Sequence, residues 1–183
     1  MTGYEALDAR SEIQSLGEKK FIQNQLRSKE IEPANIQMNN LEDIDEALRI
    51  DYSIPAQIET AGDIIYIQPF IKKHFEENPF KETKIRLYPI DFLYPFKEYF
   101  TFNITIPENF TIESLPKNIF ANLQNNVGFY SYDIRQIGNM LVINSKIVLT
   151  ESYFLPSYYH FLKEMFDQIL IKQNEQIVLK KKE

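Results

Sequence analysis

Two histidines and no cysteine stand in 183 residues, so nucleophilic and metal chemistry have few places to sit. His74 lies in Lys72-Lys73-His74-Phe75-Glu76-Glu77. As a general base it would need a nucleophile and an orienting carboxylate brought to it by the fold. Its charged neighbours make it read as a solvated loop histidine. His160 falls beside an apolar stripe near the start of a C-terminal helix and reads as a partly buried packing residue. The densest acidic run, Glu42, Asp43, Asp45 and Glu46, offers oxygen ligands, but it lacks the central Gly and terminal Glu of a calcium loop. It reads as a solvated turn between two strands. With 26 Asp+Glu, any two acids might meet as a glycosidase pair, and the sequence singles out none. Five Gly leave no Gly-rich phosphate loop. Phe129, Tyr130, Tyr132, Tyr158 and Tyr159 could stack on sugars. Their spacing on strand and helix faces, and the absence of Trp, favour core packing instead. No catalytic, cofactor-binding or metal-ligating residue is assigned, and no cofactor is expected.

Those residues must be positioned by a largely β chain. The sequence carries 25 Ile, 14 Phe and 11 Tyr against 7 Ala, a choice that fits pleated, half-buried surfaces better than helices. The net charge of −6 lacks the basic excess that nucleic-acid binding requires. No apolar run approaches the ~20 residues of a membrane-spanning helix. No internal repeat is present.

The first 32 residues form a helical lead-in or linker, in which Tyr4, Leu7, Ile13, Leu16, Phe21, Ile22 and Leu26 recur at helical spacing and Gly17 breaks the segment in two. Residues 33–183 form the main domain. Period-two alternation marks strands around Leu48–Ile54, Asp63–Ile67, Phe100–Ile106 and Phe110–Ser114, with an irregular excursion at 68–82. Val127–Ile137 and Met140–Thr150 flank Gly138-Asn139 as a hairpin with a primed turn. On its second arm Leu141, Ile143, Ile147 and Leu149 share one face with Ser145. An amphipathic helix follows over about 156–173, opened by Pro156. A last short strand begins at Ile177, and Lys180-Lys181-Lys182 reads as a solvated tail. The fold class is mainly β: an antiparallel β-sandwich with a helical lead-in and one C-terminal helix.

Several stretches appear together in a familiar order: Gly3-Tyr4-Glu5-Ala6-Leu7, Gly62-Asp63-Ile64-Ile65-Tyr66-Ile67-Gln68-Pro69, Glu77-Asn78-Pro79-Phe80, Arg86, Pro89-Ile90-Asp91-Phe92 and Tyr94-Pro95. Leu115-Pro116, the Gly138-Asn139 hairpin and Gln173-Asn174-Glu175-Gln176-Ile177-Val178-Leu179-Lys180-Lys181 complete the series. It resembles the C-terminal β domain, of unknown function, of bacterial transglutaminase-like proteins. Those proteins also carry an N-terminal β domain of unknown function and a central papain-type domain. The resemblance places the Cys, His and Asp of catalysis in the central domain. This chain has no Cys to receive that role, so none is carried over. Where the family tends to place Ser before the helix-starting Pro, this chain has Leu155, which offers no capping oxygen.

The resemblance implies a non-catalytic accessory domain that supports or positions an upstream transglutaminase-like domain of the same polypeptide. Contact would run through Tyr4, Leu7, Ile13, Leu16, Phe21, Ile22 and Leu26. It also implies an exported parent, in the periplasm or cell envelope. The alternative is an independent module that binds glycans or envelope proteins through exposed Tyr and Phe. A hydrolase built on carboxylates has no recognisable site.

Overall fold

The structure, a computed structural model, describes residues 1, 3–26, 31–55, 58–70, 74–81 and 86–182. It divides into two compact units, Met1–Ala56 and Gln57–Glu183. The first holds helices α1 (Gly3–Leu16) and α2 (Glu18–Gln25) and an antiparallel hairpin of β1 (Ala34–Asn39) and β2 (Arg49–Ser53). Gly17 separates the helices at φ +83°, a left-handed conformation that Gly adopts without the Cβ penalty. The lead-in expected to end at residue 32 thus continues into a hairpin within one unit. Ile13, Phe21, Ile22, Leu26 and Leu48 are buried.

One cation organises the acidic turn of this unit. The Arg10 guanidinium donates through Nε to the carbonyls of Asn40 and Leu41, and through a terminal nitrogen to those of Asn40, Asp43 and Glu46, at 2.6–3.3 Å. Arg10 is itself buried. The 40–48 turn therefore wraps an internal cation with backbone oxygens and leaves its carboxylates in solvent.

The second unit is an antiparallel β-sandwich. One sheet has the order β6-β10-β9-β8, with β6 Phe96–Thr105, β8 Ile119–Asn122, β9 Gly128–Ile137 and β10 Met140–Leu149. The other has the order β3-β4-β12-β7, with β3 Ile58–Ala61, β4 Ile64–Ile67, β7 Phe110–Ser114 and β12 Ile177–Lys181. β5 (Ile90–Asp91) and β11 (Tyr153–Phe154) make a short separate ladder. Helix α3 (Tyr159–Asn174) follows a single 3₁₀ turn at Pro156–Tyr158 and lies against β8 and β9. Among the described residues no helix is long and apolar enough to cross a membrane.

Strand periodicity builds the core. Leu141, Ile143, Ile147 and Leu149 of β10 point inward with Tyr130, Tyr132 and Ile134 of β9. Ile65, Ile67, Ile177 and Leu179 enter the same core from the second sheet, and Leu162, Met165, Phe166 and Ile169 enter it from α3. The β9–β10 hairpin turns with Gly138 at φ +62° and Asn139 outside the positive-φ region, the pattern of a type II′ connection. Gly128 is required for a different reason. A Cβ there would stand 2.8 Å from the Val148 carbonyl oxygen and 2.6 Å from Leu149 Cδ2, and the backbone oxygen cannot move aside without breaking the sheet.

The basic C-terminus departs from its reading as a tail. Lys180 and Lys181 are part of β12, paired with Thr111 and Phe110 of β7. Lys182 donates its N–H to Asn109 O and its Nζ to Glu108 O. The ladder carries the backbone, while the side chains remain in solvent.

Candidate functional site

Two inward-facing strand positions carry polar groups that an apolar core would leave without partners. On β6 the inward row reads Phe96, Glu98, Phe100, Phe102, and Glu98 is 8% exposed. On β10 the inward row reads Leu141, Ile143, Ser145, Ile147, and Ser145 is 1% exposed. The register sets Ser145 between Phe100 of β6 and Tyr132 of β9. A buried carboxyl or hydroxyl without a hydrogen bond costs about 1–3 kcal/mol. The excursion after β4 delivers the partner for both.

His74 Nδ1 is 2.6 Å from Glu98 Oε2, and Nε2 is 2.9 Å from Ser145 Oγ. The Ser145 and Tyr130 hydroxyls are 3.3 Å apart. Ser145 donates its hydroxyl to Tyr130, and the two imidazole nitrogens bridge Glu98 and Ser145. The imidazole stacks on Phe100, with centroids 4.2 Å apart. Gln173 of α3, fully buried, fixes the backbone beside it. Its Oε1 accepts the His74 N–H at 3.1 Å, and its Nε2 donates to Phe75 O. Asn78 donates to Lys163 O and Asp167 Oδ1 at 3.0 and 2.7 Å, and Phe75 and Phe80 pack on Phe166.

His74 is therefore no solvated loop residue: its side chain is 0% exposed. Its charged sequence neighbours misdirected the reading, and two of them, Lys72 and Lys73, lie outside the described residues. The informative signal was the strand phase. It puts Glu98 and Ser145 on inward rows and so demands a polar third party from elsewhere in the chain.

A Ser, a His and a carboxyl in this order are the parts of a nucleophilic triad. Nucleophilic attack also needs a substrate within reach of Oγ. Here Phe70, Phe100 and Phe102 crowd the imidazole side, and Ser145, Tyr130 and Tyr132 are each at most 1% exposed. The arrangement is a buried clamp in which Glu98, His74, Ser145 and Tyr130 are each hydrogen-bonded within the protein.

The other sequence candidates do not converge on it. His160 is exposed on α3 and pairs with Glu164 at 2.9 Å, so its reading as a packing residue is corrected. It precedes Leu162 by two positions, about 200° around a helix from the buried stripe. Glu42, Asp43, Asp45 and Glu46 are exposed on the turn that encloses Arg10. Among the described residues no cluster of His, Asp and Glu could hold a metal. Tyr130 and Tyr132 are core residues, while Phe129, Tyr158 and Tyr159 are half-buried. Of the lead-in residues, Ile13, Phe21, Ile22 and Leu26 are buried and Tyr4, Leu7 and Leu16 are exposed.

A family model described as "Domain of Unknown Function with solved-structure structure (DUF3858)" matches residues 63–179. The chain belongs to this family. The matched segment runs from the turn before β4 to the middle of β12, and so contains His74, Glu98, Ser145 and Gln173. No curated protein matches the chain. Among solved structures, one described as a "putative protease" from Parabacteroides distasonis is similar, with 14% identity and a TM-score of 0.45. That match covers 56% of this chain and 20% of the other, so this chain spans a small part of that protein's length.

The clamp of the DUF3858 domain makes a direct claim on stability. Ser145→Ala deprives His74 and Tyr130 of a partner and is expected to cost about 1–3 kcal/mol in urea unfolding. His74→Ala strands both Glu98 and Ser145 and leaves a cavity, and is expected to cost about 3–5 kcal/mol. Adding Ser145→Ala to His74→Ala should then cost clearly less than Ser145→Ala alone. Strict additivity in that cycle would show that the two side chains do not act together.

The tyrosines give a pH signature. Burial pushes the Tyr130 hydroxyl up to about 12, the Ser145 hydrogen bond working against it and the Glu175 charge with it. Burial, and then Tyr130 and Glu175, push Tyr132 the same way, and its hydroxyl has no hydrogen-bond partner among the described residues. Unfolded tyrosine ionises near ~10. Above that pH the unfolded chain has lost protons that the native chain still holds, so stability falls as pH rises from about 10 towards 12. Phenolate absorbance should show two or more of the 11 tyrosines silent near pH ~10 and released only on alkaline unfolding. Titration of all 11 with the native fold intact would contradict this assignment.

Proposed function

We propose that this DUF3858 chain is a non-catalytic accessory domain of a larger, exported polypeptide. Its role is to support or position a papain-type transglutaminase-like domain or that domain's partner. The observation that carries the reading is the sealed clamp: its nucleophile, base and orienting carboxyl, buried together among the described residues, serve to hold the fold together. The absence of cysteine supports it, because a papain-type mechanism starts from a thiolate. Tyr4, Leu7 and Leu16, the exposed members of the helical stripe, supply apolar surface for docking.

A second reading rests on the outer face of the β6-β10-β9-β8 sheet. Lys146 Nζ lies 4.8 Å from the Tyr99 ring centroid and 5.0 Å from that of Phe129, and Phe120 is 5.4 Å from Phe129. Tyr99 and Phe120 are 55% and 66% exposed. Such an aromatic row is the kind of platform on which a sugar ring stacks, which favours a glycan-binding module as the alternative.

The two readings separate by experiment. On the accessory reading, the native protein is not labelled at Ser145 by a fluorophosphonate, and it co-purifies with a papain-type domain from the same polypeptide. Labelling that Ser145→Ala abolishes would overturn the non-catalytic half of this reading. Failure to bind that domain, or a gene that encodes none, would overturn the accessory half. On the glycan reading, a glycan array gives hits that Tyr99→Ala and Phe120→Ala remove at unchanged Tm, and an array without hits eliminates it.

A further inference from the structure

The β6-β10-β9-β8 sheet ends at β8, which pairs only with β9 among the described residues. The direction of its free hydrogen-bonding groups follows from the ladder. Leu123 donates its N–H to Gly128 O at 2.8 Å and continues the register of Ile119 with Tyr132 and Ala121 with Tyr130. Backbone groups of successive residues in an antiparallel strand face opposite sides. Ile119, Ala121 and Leu123 therefore face β9, and the N–H and C=O of Phe120 and Asn122 face away from the sheet.

That open edge borders a groove of about 340 Å³ formed between β8 and α3 and lined by Asn122, Leu123, Phe161, Glu164, Met165 and Asp167, among others. Its floor is apolar and its rim is acidic. Glu164 is 62% exposed at its side chain and contacts His160. Asp167 accepts from Asn78 and from Lys163. Burial opposes its charge, but those two hydrogen bonds and the Lys163 charge hold its carboxyl below the usual range. Two carboxylates stand against one ammonium, Lys163, on this stretch of helix.

We propose that the groove between β8 and α3 receives an extended peptide segment with Lys or Arg at alternate positions, added as a fifth strand at the β8 edge. The inference goes beyond the accessory reading and stands without it. Phe120 and Asn122 together offer two N–H donors and two C=O acceptors, the main-chain pattern of strand addition. Side chains of an added strand alternate in direction, so every second one enters the groove. A long basic side chain fits what it meets there. Its methylene stem covers Phe161, Met165 and Leu123, and its charged head reaches Glu164 and Asp167. An acidic or short polar side chain would leave the floor uncovered and meet like charge at the rim.

The probes are the fluorescein-labelled peptides Thr-Lys-Thr-Lys-Thr-Lys and Thr-Glu-Thr-Glu-Thr-Glu, titrated with the full chain by fluorescence anisotropy at physiological salt. The lysine peptide is expected to saturate with a Kd below about 1 mM, and the glutamate peptide to bind at least about tenfold more weakly. Asn122→Pro removes an outward N–H that β9 does not use and is tolerated at an edge position. It should weaken binding by about tenfold or more at unchanged Tm, as should Glu164→Lys. No saturable binding of the lysine peptide overturns the proposal. So does binding that both variants leave unchanged, which would mark charge attraction elsewhere on an acidic protein. A concentration-dependent dimer in sedimentation that Asn122→Pro abolishes also overturns it, because the occupant of the edge would then be a second copy of β8.

Discussion

The hydrogen-bonded line from Glu98 through His74 to Ser145 and Tyr130 is the constraint on which the second unit is arranged. It joins the excursion after β4, which belongs to one sheet, to β6, β9 and β10 of the other. Gln173 extends the join to α3. Burial alone does not set the orientation in which residues 74–81 meet the sheet, because the hydrophobic effect is non-directional. Hydrogen bonds have direction and fixed lengths. The imidazole can occupy one place only, since both its nitrogens must meet their partners at once. Phe70, Phe75 and Phe80 are then set into the core at positions that His74, Gln173 and Asn78 define.

This also explains why a constellation with the parts of a hydrolase site does no chemistry of that kind in our reading. Catalytic and structural use of a Ser–His–carboxyl line share the same bond lengths and differ in what lies beyond the serine oxygen. A nucleophile needs open space and donors for a developing oxyanion. Ser145 instead has the Tyr130 hydroxyl beside it and aromatic rings around it. A buried polar network satisfied in every member adds specificity to a core, and that specificity is what a sandwich rich in interchangeable Ile and Phe otherwise lacks.

Much of the architecture was legible from residue spacing, and the clamp was not. The β9–β10 hairpin, β12 and α3 have long, regular patterns in which inward residues are apolar, so period alone places them. β3, β8 and the β5–β11 ladder are short, and their residues are largely surface-facing, so nothing in composition distinguishes them from loop. The clamp was missed because its three members are 24 and 47 residues apart in sequence and each looks ordinary locally. Ser145 had been placed on the same face as Leu141 and Ile147, and carrying the β6 alternation back two residues from Phe100 would have put Glu98 inward as well. A polar residue in an inward phase is a request for a partner. Two such residues, on adjacent strands, would have pointed to a side chain with two hydrogen-bonding ends, and only two histidines were available to supply one.

The first unit solves the same problem with a different side chain. A turn rich in acids must be held against a helix, and the carboxylates cannot do it because they gain more from water than from apolar contact. Arg10 reaches the turn from α1 and satisfies four backbone carbonyls with one planar group. Its five N–H donors form a fixed fork, so the turn is shaped around it much as an oxygen cage is shaped around a metal ion. In both units an irregular segment is fixed by a buried, multiply bonded polar side chain instead of by regular structure. At β8, one of the sheet edges left open among the described residues, a helix with an acidic rim runs beside the strand. On the strand-addition proposal, recognition there draws on both resources at once, main-chain groups for register and the rim for charge.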